Sequence, residues 1–111
     1  MNSTQAVADL AALAHEHRLA AFRLLIATGP AGLPAGLIAD RLHLPPSSLT
    51  FHLQQLLAAG LVSQRRVSRQ IIYQANFDAM NRLLVYLSEN CCGRSDAPAF
   101  CQPAAQLESS S

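Results

Sequence analysis

The sequence predicts a single, mainly α-helical domain carrying one small β-hairpin, and three observations predict it. Apolar residues recur at three- and four-residue steps through residues 4–28, 37–62 and 77–92, the period of helices with one buried face. Between the last two stretches, residues 61–75 turn to Val62, Val67, Ile71, Ile72 and Tyr73, side chains that favour strands. Glycine and proline punctuate the joins, at Gly29-Pro30, Gly32, Pro45-Pro46, Gly60 and Gly93.

A chain of 111 residues is long enough to bury one core. Half of it is hydrophobic and only 14% is charged, which places it with globular rather than disordered chains. No apolar run reaches the roughly 18–20 residues that span a bilayer, so no membrane partner is expected. The opening MNSTQAVADLAALAHEHR lacks a basic region, apolar core and small-residue cleavage site, so a cytoplasmic location is expected. Three cysteines, an odd number, suit a reducing compartment better than a disulfide framework. The net charge of +1 argues against a broad binder of polyanions. Arginines are nonetheless concentrated at Arg65, Arg66 and Arg69.

Taken in order, residues 4–28 read as two helices with a break near His15. Val7, Leu10, Leu13 and Ala14 make one apolar stripe, and Leu19, Phe22, Leu25 and Ile26 another. His15-Glu16-His17 has the composition of a metal motif. Two histidines two apart on a helix do not share a face, however, so a helix-start or surface role is expected. Gly29-Pro30 and Gly32 end the helix in a loop.

Leu37, Ile38 and Leu42 then give a short helix its buried face, and His43-Leu44-Pro45-Pro46 breaks it, since proline lacks the amide donor and disfavours a helical residue before it. Ser47 or Ser48 can cap the next helix, with Pro46 suiting its entry and Gly60 its left-handed end. Along that helix Leu49, Leu53, Leu56 and Leu57 fall on one side, while Ser48, Thr50, Phe51, Gln54 and Gln55 fall largely on the other. An uncharged polar face following a tight turn is the shape of a DNA recognition helix, although a helical hairpin in another kind of small domain would share it. His52 lies beside the Leu49/Leu53 face, where a hydrogen-bonded structural histidine is expected rather than a base contact.

Residues 61–75 read as two strands with Arg66-Val67-Ser68-Arg69 at the tip. Such a hairpin must pack on the helices as a wing, because two strands do not stand alone. From Phe77 to about Cys92 the chain returns to helix, with Phe77, Met80, Leu83, Leu84 and Leu87 on one stripe and Gly93 as its end. The division expected is therefore a winged helix-turn-helix and dimerisation domain over residues 1–92 and a tail over 93–111. The stripes Val7/Leu10/Leu13 and Met80/Leu83/Leu84/Leu87 exceed what one small domain can bury, so a symmetric homodimer joined through its first and last helices is expected. In that arrangement Ser47, Ser48, Thr50, Phe51, Gln54 and Gln55 would face a major groove of double-stranded operator DNA. Arg65, Arg66 and Arg69 would reach the backbone or the minor groove.

The order helix, helix, helix-turn-helix, wing, helix resembles the ArsR/SmtB family of bacterial metal-responsive repressors. The residues carrying the resemblance are Leu49-Thr50-Phe51-His52-Leu53, Ala59-Gly60-Leu61-Val62, His17-Arg18-Leu19 and Tyr73, and it covers about residues 5–92. It implies a transcriptional repressor. Where the family often carries a basic side chain this sequence has Phe51, which replaces a polar contact with an apolar one, for instance against a thymine methyl. The wing tip, often containing glycine in the family, is Val67-Ser68-Arg69.

Members of the family sense different ligands at different places. One subgroup places Cys-Val-Cys ahead of the helix-turn-helix; the matching positions here are Pro34-Ala35-Gly36, with no thiol. Another binds zinc through Asp and His pairs on the last helix, and residues 77–92 contain no histidine. Cys91, Cys92 and Cys101 resemble instead the C-terminal three-cysteine site of arsenic-responsive members. The chemistry agrees, since As(III) and Sb(III) are thiophilic and three thiolates satisfy their pyramidal coordination. As(III) or Sb(III) is thus the expected inducer, with no catalytic cofactor. Zinc or cadmium, with Asp96 or Glu89 as a fourth ligand, is the alternative, as is thiol oxidation; tail cysteines can also be incidental. The sequence contains no Gly-rich phosphate loop, no H-E-x-x-H and no nucleophile elbow, so no enzyme is expected. A protein–protein module of the same fold would not be expected to cluster wing arginines or gather three thiols.

Overall fold

The computed structural model describes residues 1–90. Five helices and a small sheet follow in the order α1 (Ser3–Leu13), α2 (Glu16–Thr28), β1 (Leu33–Pro34), α3 (Ala35–Leu42), α4 (Pro46–Ala59), β2 (Val62–Val67), β3 (Gln70–Ala75) and α5 (Phe77–Ser88). This is a winged helix-turn-helix, as the sequence leads one to expect.

Local chemistry sets most boundaries. Asn2 starts α1 by accepting from the Gln5 amide at 2.8 Å, and Asn76 starts α5 by accepting from that of Ala79 at 3.1 Å. The break between α1 and α2 falls at Ala14-His15, where His15 Nδ1 accepts from the His17 amide at 3.1 Å and caps α2. Gly60 ends α4 at φ 79°, its amide donating to Leu57 O and that of Leu61 to Leu56 O, both at 3.0 Å. This pair of bonds satisfies two carbonyls that the helix leaves open. His43 ends α3 in the same way, in the left-handed region at φ 57°.

Three features depart from the sequence expectation. No serine caps α4: Pro45 is its N-cap residue and makes no side-chain cap bond, while Pro46 occupies the first turn. Proline's fixed φ and missing N–H suit that entry without a side-chain acceptor, so Ser47 and Ser48 stay on the helix surface. The expected hairpin wing forms from β2 and β3, but β1 joins it as a third antiparallel strand in the order β1-β3-β2. Leu33 and Pro34 pair with Tyr73 and Ile72, which gives β3 neighbours on both sides. Finally, α5 ends at Ser88 rather than near Cys92, so Gly93 does not terminate it. Ser88 Oγ donates back to Leu84 O at 2.7 Å, and the backbone leaves helical geometry at Glu89. The boundary at 92/93 and the whole tail lie outside the described residues.

The core is built from Ala21, Phe22 and Leu25 of α2, Ile38 of α3, and Leu49, Leu53 and Leu56 of α4, closed by Leu61, Val62 and Tyr73 of the wing. Burying a leucine stabilises by about 1.5–3 kcal/mol, and the α4 leucines are within 1% of full burial. The recognition-type helix is therefore held from behind by the same residues that form the core. Helix α1 turns Ala6 and Asp9 inward; Asp9 is 1% exposed, its Oδ1 accepting from Gln5 Nε2 at 3.1 Å. On the apolar stripe of α1, Val7 is 64% and Leu10 44% exposed, while Leu13 is half-buried against the core. Among the described residues no helix is long and apolar enough to cross a membrane.

Candidate nucleic-acid interface

Two consecutive helices, α3 and α4, are joined by His43-Leu44-Pro45. Leu49, Leu53 and Leu56 anchor α4 at three- and four-residue steps, with His52 buried beside them, and this turns the remaining polar side chains of the helix outward. Ser47, Ser48, Thr50, Phe51, Gln54 and Gln55 are all exposed, Phe51 to 57%. Hydroxyls and amides on this face can donate and accept, as reading of base edges requires. Thr50 donates its hydroxyl proton to Pro46 O at 2.9 Å, which leaves its oxygen as an acceptor.

In the wing, β2 and β3 pair from Val62↔Ala75 to Val67↔Gln70, leaving Ser68 and Arg69 as a two-residue turn. Ser68 takes φ 56° and Arg69 does not share that region, so the two-residue turn forms without Asn-Gly. Residues from Ser63 to Gln70 are exposed, so the wing projects from the body. Arg66 and Arg69 lie on this projection. Arg65 has a different setting: its guanidinium donates to Gln74 Oε1 on β3 and to Ala31 O at 2.8 Å. Adjacent strand residues point to opposite faces, so Arg65 and Arg66 cannot share one. Arg65 thereby braces the wing to the α2–β1 loop. The signal for this brace was present in the sequence only indirectly, since Gln74 is the diagonal neighbour of Arg65 once the register is known.

Behind the exposed face lies a cluster that sequence reasoning did not assemble. His52 is 8% exposed, with its ring centroid 4.5 Å from that of His15 and 5.7 Å from that of His17. His15 and His17 are 5.3 Å apart. The rule against histidines two apart applies inside a helix, but His15 is the extended N-cap residue of α2, so its ring swings beside that of His17. The helix-start role holds. The expected hydrogen bond to the His52 ring is not found at Nδ1, which is buried with no partner among the described residues, as is Arg18 Nε. Burial first, then the neighbouring His15, Arg18 and His17, depress the His52 pKa below 6.5. Among the described residues no group of three or more His, Cys, Asp or Glu side chains is placed to hold a metal ion. Cys91, Cys92, Asp96 and Cys101 lie outside the described residues.

Comparison with known proteins agrees with this geometry. The helix-turn-helix domain family matches residues 13–65. An ArsR-like transcriptional regulator from Rhodococcus sp. RHA1 is 30% identical, with a TM-score of 0.68 and 77% of each chain covered. HlyU from Vibrio cholerae N16961 is also 30% identical, with a TM-score of 0.65, covering 82% of this chain and 96% of HlyU. A homodimeric winged helix-turn-helix DNA-binding domain, Mb0332 (fragment 1–100) from Mycobacterium bovis, a possible ArsR-family transcriptional regulator, is 26% identical, with a TM-score of 0.65 and 76% of each chain covered. No curated protein matches the chain.

Proposed function

Since the chain belongs to the ArsR family of winged-helix transcriptional regulators, we propose that it is a homodimeric repressor released from operator DNA when As(III) or Sb(III) binds Cys91, Cys92 and Cys101. The observation that carries the ligand half of this reading is the position of the thiols. All three cysteines of the chain follow α5, the first of them three residues beyond its last residue, Ser88. Three thiolates complete the coordination of a trivalent arsenic centre, whereas a tetrahedral zinc site needs a fourth ligand. The DNA half is supported by the exposed polar face of α4 and by Arg66 and Arg69 on the wing. Gln54 and Gln55 would read base edges, Phe51 would contact a thymine methyl, and the wing arginines would neutralise phosphate.

The mechanism follows from connectivity. In a dimer joined through α1 and α5, the α5 helices set the separation of the two α4 helices, which must match successive major grooves about 34 Å apart. Drawing Cys91, Cys92 and Cys101 onto one arsenic atom pulls on the segment that leaves α5, and a small change there spoils the fit to two half-sites. No bond in a substrate changes; the ligand acts by binding the DNA-free state better. A coupling of about 1–3 kcal/mol weakens operator binding roughly 5–150-fold.

The test uses a duplex that the protein selects from a random-sequence pool. Its release is measured with arsenite, methylarsenite, antimonite, zinc, cadmium and a thiol oxidant, on wild type and each Cys→Ser variant. Arsenite should release wild type, and each variant should respond less, with Cys101→Ser retaining most response to methylarsenite, which needs only two thiols. Release by zinc, cadmium or oxidant alone, or a full arsenite response in all three variants, would contradict the proposal.

A further inference from the structure

Three of the chain's four histidines meet where α2 begins and α4 passes it, and the fourth, His43, is exposed in the turn before α4. The three rings do not converge as metal ligands. They do place a buried, unpartnered imidazole nitrogen on the helix proposed to read DNA, directly after the exposed Phe51, whose ring meets His52 edge-on at 5.7 Å. Resting on the reading of α4 as the recognition helix, we propose that His15, His17 and His52 form a proton-operated latch: neutral His52 seats α4 against the start of α2, and its protonation unseats the helix and weakens operator binding.

The physical argument is one of unmatched charge. A protonated His52 would be a cation with little water around it, facing His15, His17 and Arg18 of α2. Glu16 of α2 is exposed and does not offset them. Of the other elements packed on α4, α1 brings Asp9, α3 brings Asp40 and Arg41, and β2 brings Arg65 and Arg66. None of these counters the repulsion from α2. Arg18 already has a buried Nε without a partner, so a second cation there gains no hydrogen bond to compensate it. Taking up a proton therefore favours a ring that has left this seat, and in the latch Phe51 and the N-terminal half of α4 move with it.

The sign follows from linkage. The folded state holds the His52 pKa below the 6.5 of the free side chain, so the unfolded or unseated state binds the proton more readily. The seated state has its full advantage above 6.5 and loses it progressively as pH falls from 6.5 toward the depressed value. His43 is exposed in the turn before α4, and a variant lacking only His52 keeps it unchanged as an internal reference.

The experiment follows the histidine Cε1–H NMR signals of the full chain through acidification in the presence of a chelator. In parallel, affinity for the selected duplex is measured at a neutral and an acidic pH for wild type, His52→Gln, and a His15→Asn/His17→Gln double variant that keeps an N-cap acceptor. His52 should protonate last, together with shifts in the Phe51 signals. Wild type should lose at least about fivefold more affinity on acidification than His52→Gln, the lower end of ordinary coupling. The double variant, relieved of two neighbouring cations, should undergo the loss at higher pH. His52 titrating with the exposed histidine, equal acid losses in wild type and His52→Gln, or zinc producing the same release at neutral pH would overturn the latch. If His52→Gln does not fold, an unshifted acid loss in the double variant overturns it. If no duplex is selected, the reading of α4 fails, while the order of protonation and the Phe51 response still decide whether the latch exists.

Discussion

At Gly32 the backbone passes too close to β3 to leave room for a Cβ. Its φ is 70°, and a Cβ built there would stand 2.4 Å from the carbonyl oxygen of Tyr73, a backbone atom that cannot swing away. Gly60, at φ 79°, has open space around the same position. Gly32→Ala should therefore cost about 2 kcal/mol or more, and Gly60→Ala only about 1 kcal/mol, the left-handed penalty alone. Urea unfolding monitored by circular dichroism distinguishes them; equal losses would mean that the approach of β1 to β3 does not matter. The sequence marked Gly32 as part of a loop and Gly60 as a left-handed helix end but could not rank them, because the difference lies in a neighbour 41 positions beyond Gly32. The polar face of α4 was legible because helical period alone assigns Ser48, Thr50, Phe51, Gln54 and Gln55 to the side opposite the leucines. The histidine cluster was not, because it depends on the extended backbone of His15 and on the packing of α2 against α4.

Among the elements, helices declared themselves and strands did so in part. Amphipathic period placed α1 to α4 closely, with the break at His15. It overran α5, because Leu87 and the residues after it continue the composition of a helix while Ser88 and Glu89 stop its backbone. β1 was invisible, since two residues carry no alternation to detect. The wing carries the prediction at this scale. Arg66→Ala and Arg69→Ala should each weaken binding of all sequences alike and reduce the slope of log affinity against log salt by about 1, as expected when one phosphate contact is lost. Arg65→Ala should leave that slope unchanged while lowering stability by about 0.5–1 kcal/mol, since its hydrogen bonds lie at an exposed brace. A slope unaltered by Arg66→Ala and Arg69→Ala would remove the wing from the interface.

For the whole molecule, the apolar surface left uncovered is the informative quantity. Val7 and Leu10 on α1 and Val85 and Leu87 on α5 are each at least 44% exposed. Beside them an open apolar groove of about 410 Å³ runs between α2 and α5, lined by Leu13, Leu19, Phe22, Ile26, Met80 and Leu84. A second copy covering these helices would bury both; of the stripes read from sequence, Val7, Leu10 and Leu87 lie exposed, Leu13, Met80 and Leu84 are half-buried, and Leu83 is buried within the protomer itself. Sedimentation should find a dimer at micromolar concentration. Leu10→Glu with Leu87→Glu should give a folded monomer with greatly weakened operator binding; a wild-type monomer would contradict the assembly. The central claim, that C-terminal thiols and operator act on one equilibrium, is tested most directly by reciprocity. If arsenite lowers operator affinity by some factor, saturating operator must lower arsenite affinity by the same factor. Measured by titrating arsenite into free and operator-bound protein, the two factors should agree and fall within about 5–150-fold, and both should vanish in the Cys91→Ser/Cys92→Ser/Cys101→Ser variant. Arsenite binding with the same affinity to free and operator-bound protein would contradict the account.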